Sequence, residues 1–233
     1  MAAVKNMSLF DNQMVTWFSQ VGQDKVVHSL SGPGIFVDLA ANDPYENSNT
    51  ASLERLGWRG ICIDPTLRSK QLFRNSNRSC EFVNSLVGFR DESTIFREIT
   101  PVRQNRHSWM FGLSGVVSHE SSDTCWGKGY CISVHQLKTR GLRVDHRIMN
   151  AESLDTILNR HGINSIDYLS LDVEGFEFDV LSGCSRTPKL LSIEKPDGRC
   201  RRILQKNMRF LRHLGTFGEE FWIKKSGVRV ETA

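Results

Sequence analysis

The sequence predicts an α/β fold, a mainly parallel sheet flanked by helices. Three observations carry it: residues 35–65 read as strand, loop, helix and strand; apolar runs alternate with helix-like stretches further along; and four of those runs end on an acid. The 35–65 unit organises the rest. Ile35-Phe36-Val37 ends on Asp38, and Leu39-Ala40-Ala41-Asn42-Asp43-Pro44 makes a loop of small and polar residues. Ser48-Asn49-Thr50 starts a short helix that stops at Gly57, and Ile61-Cys62-Ile63 closes on Asp64-Pro65.

The remaining elements follow in order. Asp11 can cap a short helix carrying Met14, Trp17 and Phe18, an N-terminal extension over residues 1–18. Val26-Val27 is a short apolar stretch, and Gly32-Pro33-Gly34 is the turn that launches the first strand. After Asp64, the pattern predicts a helix over Ser69–Phe73 and a strand over Glu81–Asn84, with Ser85-Leu86 at its carboxyl end. Residues 88–147 are looser, but a structureless loop of that length is rare in a compact domain. They are expected to hold a helix over Glu92–Glu98 and hairpin-like strands around Gly112–Val117 and Tyr130–Leu137, an insertion on the acceptor side of the sheet.

Helical spacing of Leu154, Ile157 and Leu158 with a stop at Gly162 predicts the next helix. A strand over residues 166–171 ends at Asp172-Val173-Glu174-Gly175, and a helix covers Phe176–Ser182. A strand from Leu190 ends on Glu194, a basic helix spans Arg201–His213, and Glu220–Lys224 is the last strand. No repeat or low-complexity linker interrupts the chain, so residues 1–233 are expected to form one domain.

Composition excludes several classes. No apolar run approaches the roughly 20 residues that span a bilayer, and Met1-Ala2-Ala3-Val4-Lys5-Asn6 lacks the apolar centre of a secretory signal. The six cysteines are scattered without a C-x-x-C pair, which predicts buried thiols in a reducing, cytoplasmic setting. Cys125 and Cys131 alone are close enough in sequence for a local disulfide or metal pair. The formal charge of +4, from 30 basic and 26 acidic residues, is mild and makes nucleic acid the less favoured partner. Its basic excess is concentrated in residues 195–212, with Lys195, Arg199, Arg201, Arg202, Lys206, Arg209 and Arg212 against Asp197. Such a run is ordinarily a solvated helix face; a docking patch for a phosphorylated or nucleic-acid partner is the alternative.

The strand ends indicate the ligand. In parallel sheets ligands bind beyond the carboxyl ends of the strands, where Asp38, Asn42 and Asp64 would gather. An acid ending the second strand suits a ribose, because a carboxylate can accept from both hydroxyls. The loop lacks the glycines that cradle a pyrophosphate, Pro44 has no N–H to offer, and Asp43 repels phosphate. S-adenosylmethionine (SAM), with a ribose, an amino-acid end and a positive sulfur, fits these choices better than a dinucleotide. Asp172, Glu174 and Glu194 suit a cationic sulfonium, a divalent metal or a general base, and spacing alone does not choose among them. Asp172 leads as base or metal ligand, Glu174 follows, and a histidine such as His119 is a distant third; His107, His119, His135 and His146 are each ordinarily packing residues.

Several stretches carry a likeness to a known family: Ser19-Gln20 with Gly22-Gln23-Asp24, residues 37–43, Ser48-Asn49-Thr50, Gly57 to Pro65, and Ile166 to Gly175. In that order, from about residue 19 to 224, the chain resembles the FkbM-type SAM-dependent methyltransferases. The resemblance implies a Rossmann-like class I fold, a seven-stranded sheet with one antiparallel strand near the C-terminus. It also implies methyl transfer from SAM to an oxygen, frequently a sugar hydroxyl. By position, Asp38, Ala40, Asn42 and Asp43 would line the methionine end, Asp64 would hold the ribose, and Ser85 with Leu86 would flank the adenine. Asp172 and Glu174 would face the methyl and the acceptor, and Trp109 and Trp126 could pack on a sugar ring. The chain departs from the family pattern at Ala40 and Pro44, where glycines are usual, and at Asp64, where glutamate is commoner. Two alternatives remain: RNA methylation through the basic 195–212 segment, and a SAM-binding protein without turnover. A nicotinamide-dependent oxidoreductase is disfavoured by the glycine-free loop and by the lack of a Tyr-x-x-x-Lys pair at Tyr45, Tyr130 or Tyr168.

Overall fold

A computed structural model describes residues 15–102, 114–116, 125–126, 130–131, 133–216 and 218–226. The first half runs α1 (Gln23–Leu30), β1 (Ile35–Leu39), α2 (Ala51–Arg55), β2 (Arg59–Ile63), α3 (Leu67–Arg74) and β3 (Glu81–Val83). Then come β4 (Leu86–Gly88), β5 (Glu92–Pro101), β6 (Gly115–Val116), β7 (Cys125–Trp126), β8 (Tyr130–Cys131), α4 (Val134–Thr139) and β9 (Leu142–Ser153). The chain finishes with α5 (Leu154–Arg160), β10 (Tyr168–Leu171), α6 (Glu177–Ser182), β11 (Leu190–Glu194), α7 (Gly198–Asn207), β12 (Met208–Leu214) and β13 (Glu219–Lys224).

Seven strands form the main sheet in the order β12-β13-β11-β10-β1-β2-β3. Strands β11, β10, β1, β2 and β3 pair in parallel, while β13 is antiparallel to both of its neighbours. The expected mixed α/β architecture with mostly parallel strands is present. These strands bury both faces, which is why they read as unbroken apolar runs. On one face Val37, Ile61, Leu169 and Leu191 pack with Leu154, Ile157 and Leu158 of α5, Val180 of α6 and Leu204 of α7. On the other, Phe36, Cys62, Tyr168 and Phe221 pack with Val27 of α1, Leu53 of α2, Phe73 of α3 and Trp58. Gly60 is required where β2 crosses Phe36, since a Cβ there would lie 1.9 Å from the Phe36 carbonyl oxygen.

A second sheet, in the order β4-β9-β5-β6, grows from the end of β3. Its spine is a ten-residue antiparallel ladder from Glu92↔Ala151 to Pro101↔Leu142. The helix expected over Glu92–Glu98 is therefore a strand. Its β-branched residues, Thr94, Ile95, Ile99 and Thr100, favour the pleat, and the partner strand lies some fifty residues on, beyond any local pattern. The strand expected over Tyr130–Leu137 stops at Cys131, and Ser133 instead caps α4 in a capping box with Gln136. Likewise the basic helix expected over Arg201–His213 ends at Asn207, because residues 208–214 pair with β13. Asp11 and Met14 lie outside the described residues, and Trp17 and Phe18 are not helical. Cys125 and Cys131 are opposed across the β7–β8 ladder, and their side chains lie outside the described residues. Among the described residues no helix is long and apolar enough to cross a membrane.

Candidate active site

The carboxyl ends of β1, β2, β10 and β11 form one rim. Ala40 (φ 55°) and Asn42 (φ 47°) follow β1, Glu174 (φ 52°) follows β10, and Lys195 (φ 42°) follows β11, all in left-handed backbone. An L-residue pays about 1–2 kcal/mol for this conformation, so the rim holds sharp turns at the expense of local strain. Replacing Ala40 with glycine should raise stability by about 1 kcal/mol, measured by urea unfolding. A fall in stability would show that the Ala40 methyl packs usefully and that its strain is small.

A cavity opens along this rim. Ala40, Asn42, Asp64, Ser85 and Leu86 line it towards the β1–β3 side, and Asp172 and Glu174 line it at the β10 end. Asp38 and Asp43 do not. Asp38 is buried beneath the loop, where Oδ2 accepts from the Thr50 hydroxyl at 2.6 Å and burial pushes its pKa up. Asp43 folds back on its own turn, accepting from the N–H groups of Tyr45 and Glu46, and lies 3.5 Å from Arg68. Both acids shape the loop from behind the cavity wall. Asp64 is more committed than the sequence suggested: Oδ1 accepts from the Thr66 N–H and hydroxyl, and Oδ2 accepts from the Asn42 N–H. One lone-pair direction on Oδ2 remains for a ligand hydroxyl.

At the other end, oxygens of Asp172, Glu174 and Glu194 lie within 4.8 Å of one another. Asp172 Oδ1 is shielded from solvent and has no hydrogen-bond partner. Burial pushes the Asp172 carboxyl well up, and Glu194 and Glu174 push it further. Glu174 is raised to about 7 by burial, then by Glu194. Glu174 thus holds its proton into the neutral range, and Asp172 is shifted in the same direction.

A family model for the methyltransferase FkbM domain matches residues 38–199. This chain belongs to the FkbM methyltransferase family. Searches of curated proteins and of solved structures found no match. The matched span begins at Asp38, one residue before the end of β1, and reaches the first turn of α7, so it contains the cavity-lining residues named above.

Residues inside and beyond the matched span support the cavity and were not legible in sequence. Glu219, the register partner of Glu194 on β13, is raised to about 7 by burial with Glu194 adding to it. It extends the carboxyl cluster beneath the rim, and sequence patterning had started the last strand one residue later. The second sheet is latched to the loop after Asp64. Glu98 accepts from the Leu67 N–H at 2.9 Å and pairs with Arg147 at 2.6 Å, and Arg147 donates to the Pro65 carbonyl. Phe96 and Val116 of that sheet close one side of the cavity. Ser85 donates to Glu152 of β9 at 2.6 Å, which joins the third strand end to the same sheet.

Upstream of the match, buried Asp24 accepts from the N–H groups of Phe18 and Ser19 and from the hydroxyls of Ser19 and Ser52. It ties the segment before α1 to α2. His135 and His146 are exposed and do not line the cavity, while His107, Trp109 and His119, with the Trp126 side chain, lie outside the described residues. Within the basic stretch, Lys195 pairs with Glu194, Arg199 with Asp197 and Arg201 with Glu220. Arg202, Lys206, Arg209 and Arg212 are exposed on α7 and β12.

Proposed function

We propose that this methyltransferase uses SAM and methylates a hydroxyl oxygen, with a sugar or glycan as acceptor. One observation carries the reading: a single cavity joins the ribose-suited Asp64 to Asp172, whose shielded Oδ1 has no hydrogen-bond partner. The strand order and the lone antiparallel β13 are consistent with the Rossmann-like class I arrangement implied by the resemblance. In this reading residues 1–233 act as one domain, and the second sheet is the acceptor-side insertion.

The donor set suits SAM. Asp64 would accept from a ribose hydroxyl, Ser85 and Leu86 would flank the adenine, and Ala40 and Asn42 would border the methionine end, with Asp38 and Asp43 holding their loop in place. When bound, SAM supplies a methyl group activated by a positively charged sulfur. Asp172 takes the hydroxyl proton, and Glu174, beside it, helps to align the acceptor. Alignment and proton removal are the two contributions this chain makes. If a divalent ion takes part, Asp172, Glu174 and Glu194 would hold it, which requires Asp172 and Glu174 to be ionised and Lys195 to move off Glu194. The test is incubation with methyl-labelled SAM and a glycan extract, with and without chelator, followed by mass spectrometry of the label. Label in RNA, with transfer falling steeply as salt rises, would replace the glycan reading with docking through Arg202, Lys206, Arg209 and Arg212. SAM binding with label in neither pool would leave a binding protein.

The raised carboxyls predict a pH signature. A cation entering beside Glu174 and Asp172 favours their ionised forms, so binding releases protons and tightens as pH rises through about 7. SAM affinity should rise about tenfold between pH 6 and 8, the gain for roughly one proton released half-way through that window. S-adenosylhomocysteine, neutral at sulfur, should show a much flatter profile. Titration calorimetry in buffers of different ionisation enthalpy reads both. Parallel pH slopes for the two ligands would remove these acids from the sulfonium's surroundings.

A further inference from the structure

A thiol pair lies beneath the cavity loop. Cys62 on β2 is fully buried, and Cys80, in the turn before β3, is partly exposed between exposed Asn77 and Ser79 on one side and Glu81 on the other. The register of the two strands explains their meeting. Cys62 is opposite Phe82, so Cys80, two residues earlier, falls on the same face of the sheet. The Cys80 thiol donates to the Cys62 sulfur at 3.3 Å. A third group completes the arrangement: Arg78 Nη2 donates to the Cys62 sulfur at 3.5 Å, from a side chain only 3 % exposed.

We propose that Cys62 and Cys80 are a modification site, closing to an internal disulfide when a peroxide or a small-molecule disulfide such as oxidised glutathione reaches Cys80. Accessibility sets the order of events. Cys80 is the thiol an oxidant can approach, whereas burial keeps Cys62 from solvent and pushes its thiol up. With hydrogen peroxide, the Cys80 sulfur attacks one oxygen, the O–O bond breaks, and a sulfenic acid and one water result. The Cys62 sulfur then attacks the Cys80 sulfur, the S–O bond breaks, and the hydroxyl leaves with the Cys62 proton as a second water. Two thiols and one peroxide thus become one disulfide and two waters. The Arg78 guanidinium favours the Cys62 anion needed for the second step. The sulfurs must close to about 2.0 Å, a movement that side-chain rotation at the Cys80 turn can supply. With oxidised glutathione the first product is a mixed disulfide on Cys80, and Cys62 displaces the second glutathione as a thiol.

The test does not depend on methyl transfer. The native protein is treated with hydrogen peroxide or with oxidised glutathione, alkylated, digested and mapped by mass spectrometry. The expected product is a cross-linked peptide pair carrying Cys62 and Cys80, lighter by two hydrogens and separated by dithiothreitol. In Cys62→Ala, Cys80 should accumulate a glutathione adduct. In Cys80→Ser, Cys62 should resist alkylation until the protein is unfolded. Full alkylation of wild-type Cys80 after either oxidant, a stable glutathione adduct on wild-type Cys80, or a bridge from Cys80 to another cysteine would each overturn the proposal. The Cys80→Ser variant, altering a partly exposed position, keeps the test available if Cys62→Ala does not fold.

Discussion

Replacing Asp172 with asparagine lowers methyl transfer by about 10²–10⁴-fold, the range removed with a positioned general base. SAM affinity at pH 6 stays within about threefold of wild type, because burial and the neighbouring acids favour the neutral Asp172 carboxyl and asparagine keeps its shape. The two readouts separate a base from a binding residue. Single-turnover transfer from labelled SAM measures the first, and calorimetry measures the second. Asp172 is the member of the cluster with a shielded, unpartnered oxygen, so it is the one poised to receive a proton from an incoming hydroxyl. Turnover that survives Asp172→Asn intact would assign proton removal elsewhere or make it unnecessary. An equal loss in turnover and affinity would make Asp172 a binding group.

The largest stability effect is expected at Arg78. Its guanidinium donates to Glu54 Oε2 at 2.9 Å, to the Pro44 carbonyl at 2.6 Å, and to the Ser48 and Thr50 hydroxyls at 3.2 and 3.0 Å. Thr50 in turn donates to Asp38, so one buried cation holds the 44–50 segment against β1 and β2. Arg78→Met keeps much of the volume and removes every donor. Unfolding in urea should show a loss of about 3–5 kcal/mol, the usual result of breaking one partner from a buried ion pair. Glu54, whose carboxyl is held below its ordinary value by bonds from Ser79 and Arg78 in spite of burial, is left short of a partner. Adding Glu54→Gln should therefore recover part of the loss, and a double-mutant cycle measures the coupling. A loss under about 1 kcal/mol would mean that water or loop movement replaces the clamp.

These two residues differ in how visible they were. Asp172 ends an apolar run, and acids ending several runs at one edge of a sheet are a pattern that local sequence shows. Arg78 sits in a polar turn among Asn75, Asn77 and Ser79, where a solvent-exposed cation is the ordinary expectation. Only the packing of that turn under the 44–50 segment buries it. Glu98 and Arg147 are similar. Each looks like surface charge until the β5–β9 ladder places both against Pro65 and Leu67.

From sequence alone came the elements whose apolar period is local: β1, α2, β2, α5, β10 and β11. With them came the acids at the strand ends and the family, because strand patterning and loop chemistry are written within a few residues. Tertiary structure alone decided three things. It paired Glu92–Pro101 with a strand far along the chain and residues 208–214 with the strand that follows them, since strand pairing overrides local helix signals. It separated Asp38 and Asp43, which support the loop, from Asp64 and Asp172, which line the cavity. It also set the proton-holding state of the carboxyl cluster, because that depends on burial and on charges brought together from β10, β11 and β13. Sequence can place acids at one edge of a sheet, and the fold decides which of them are desolvated together.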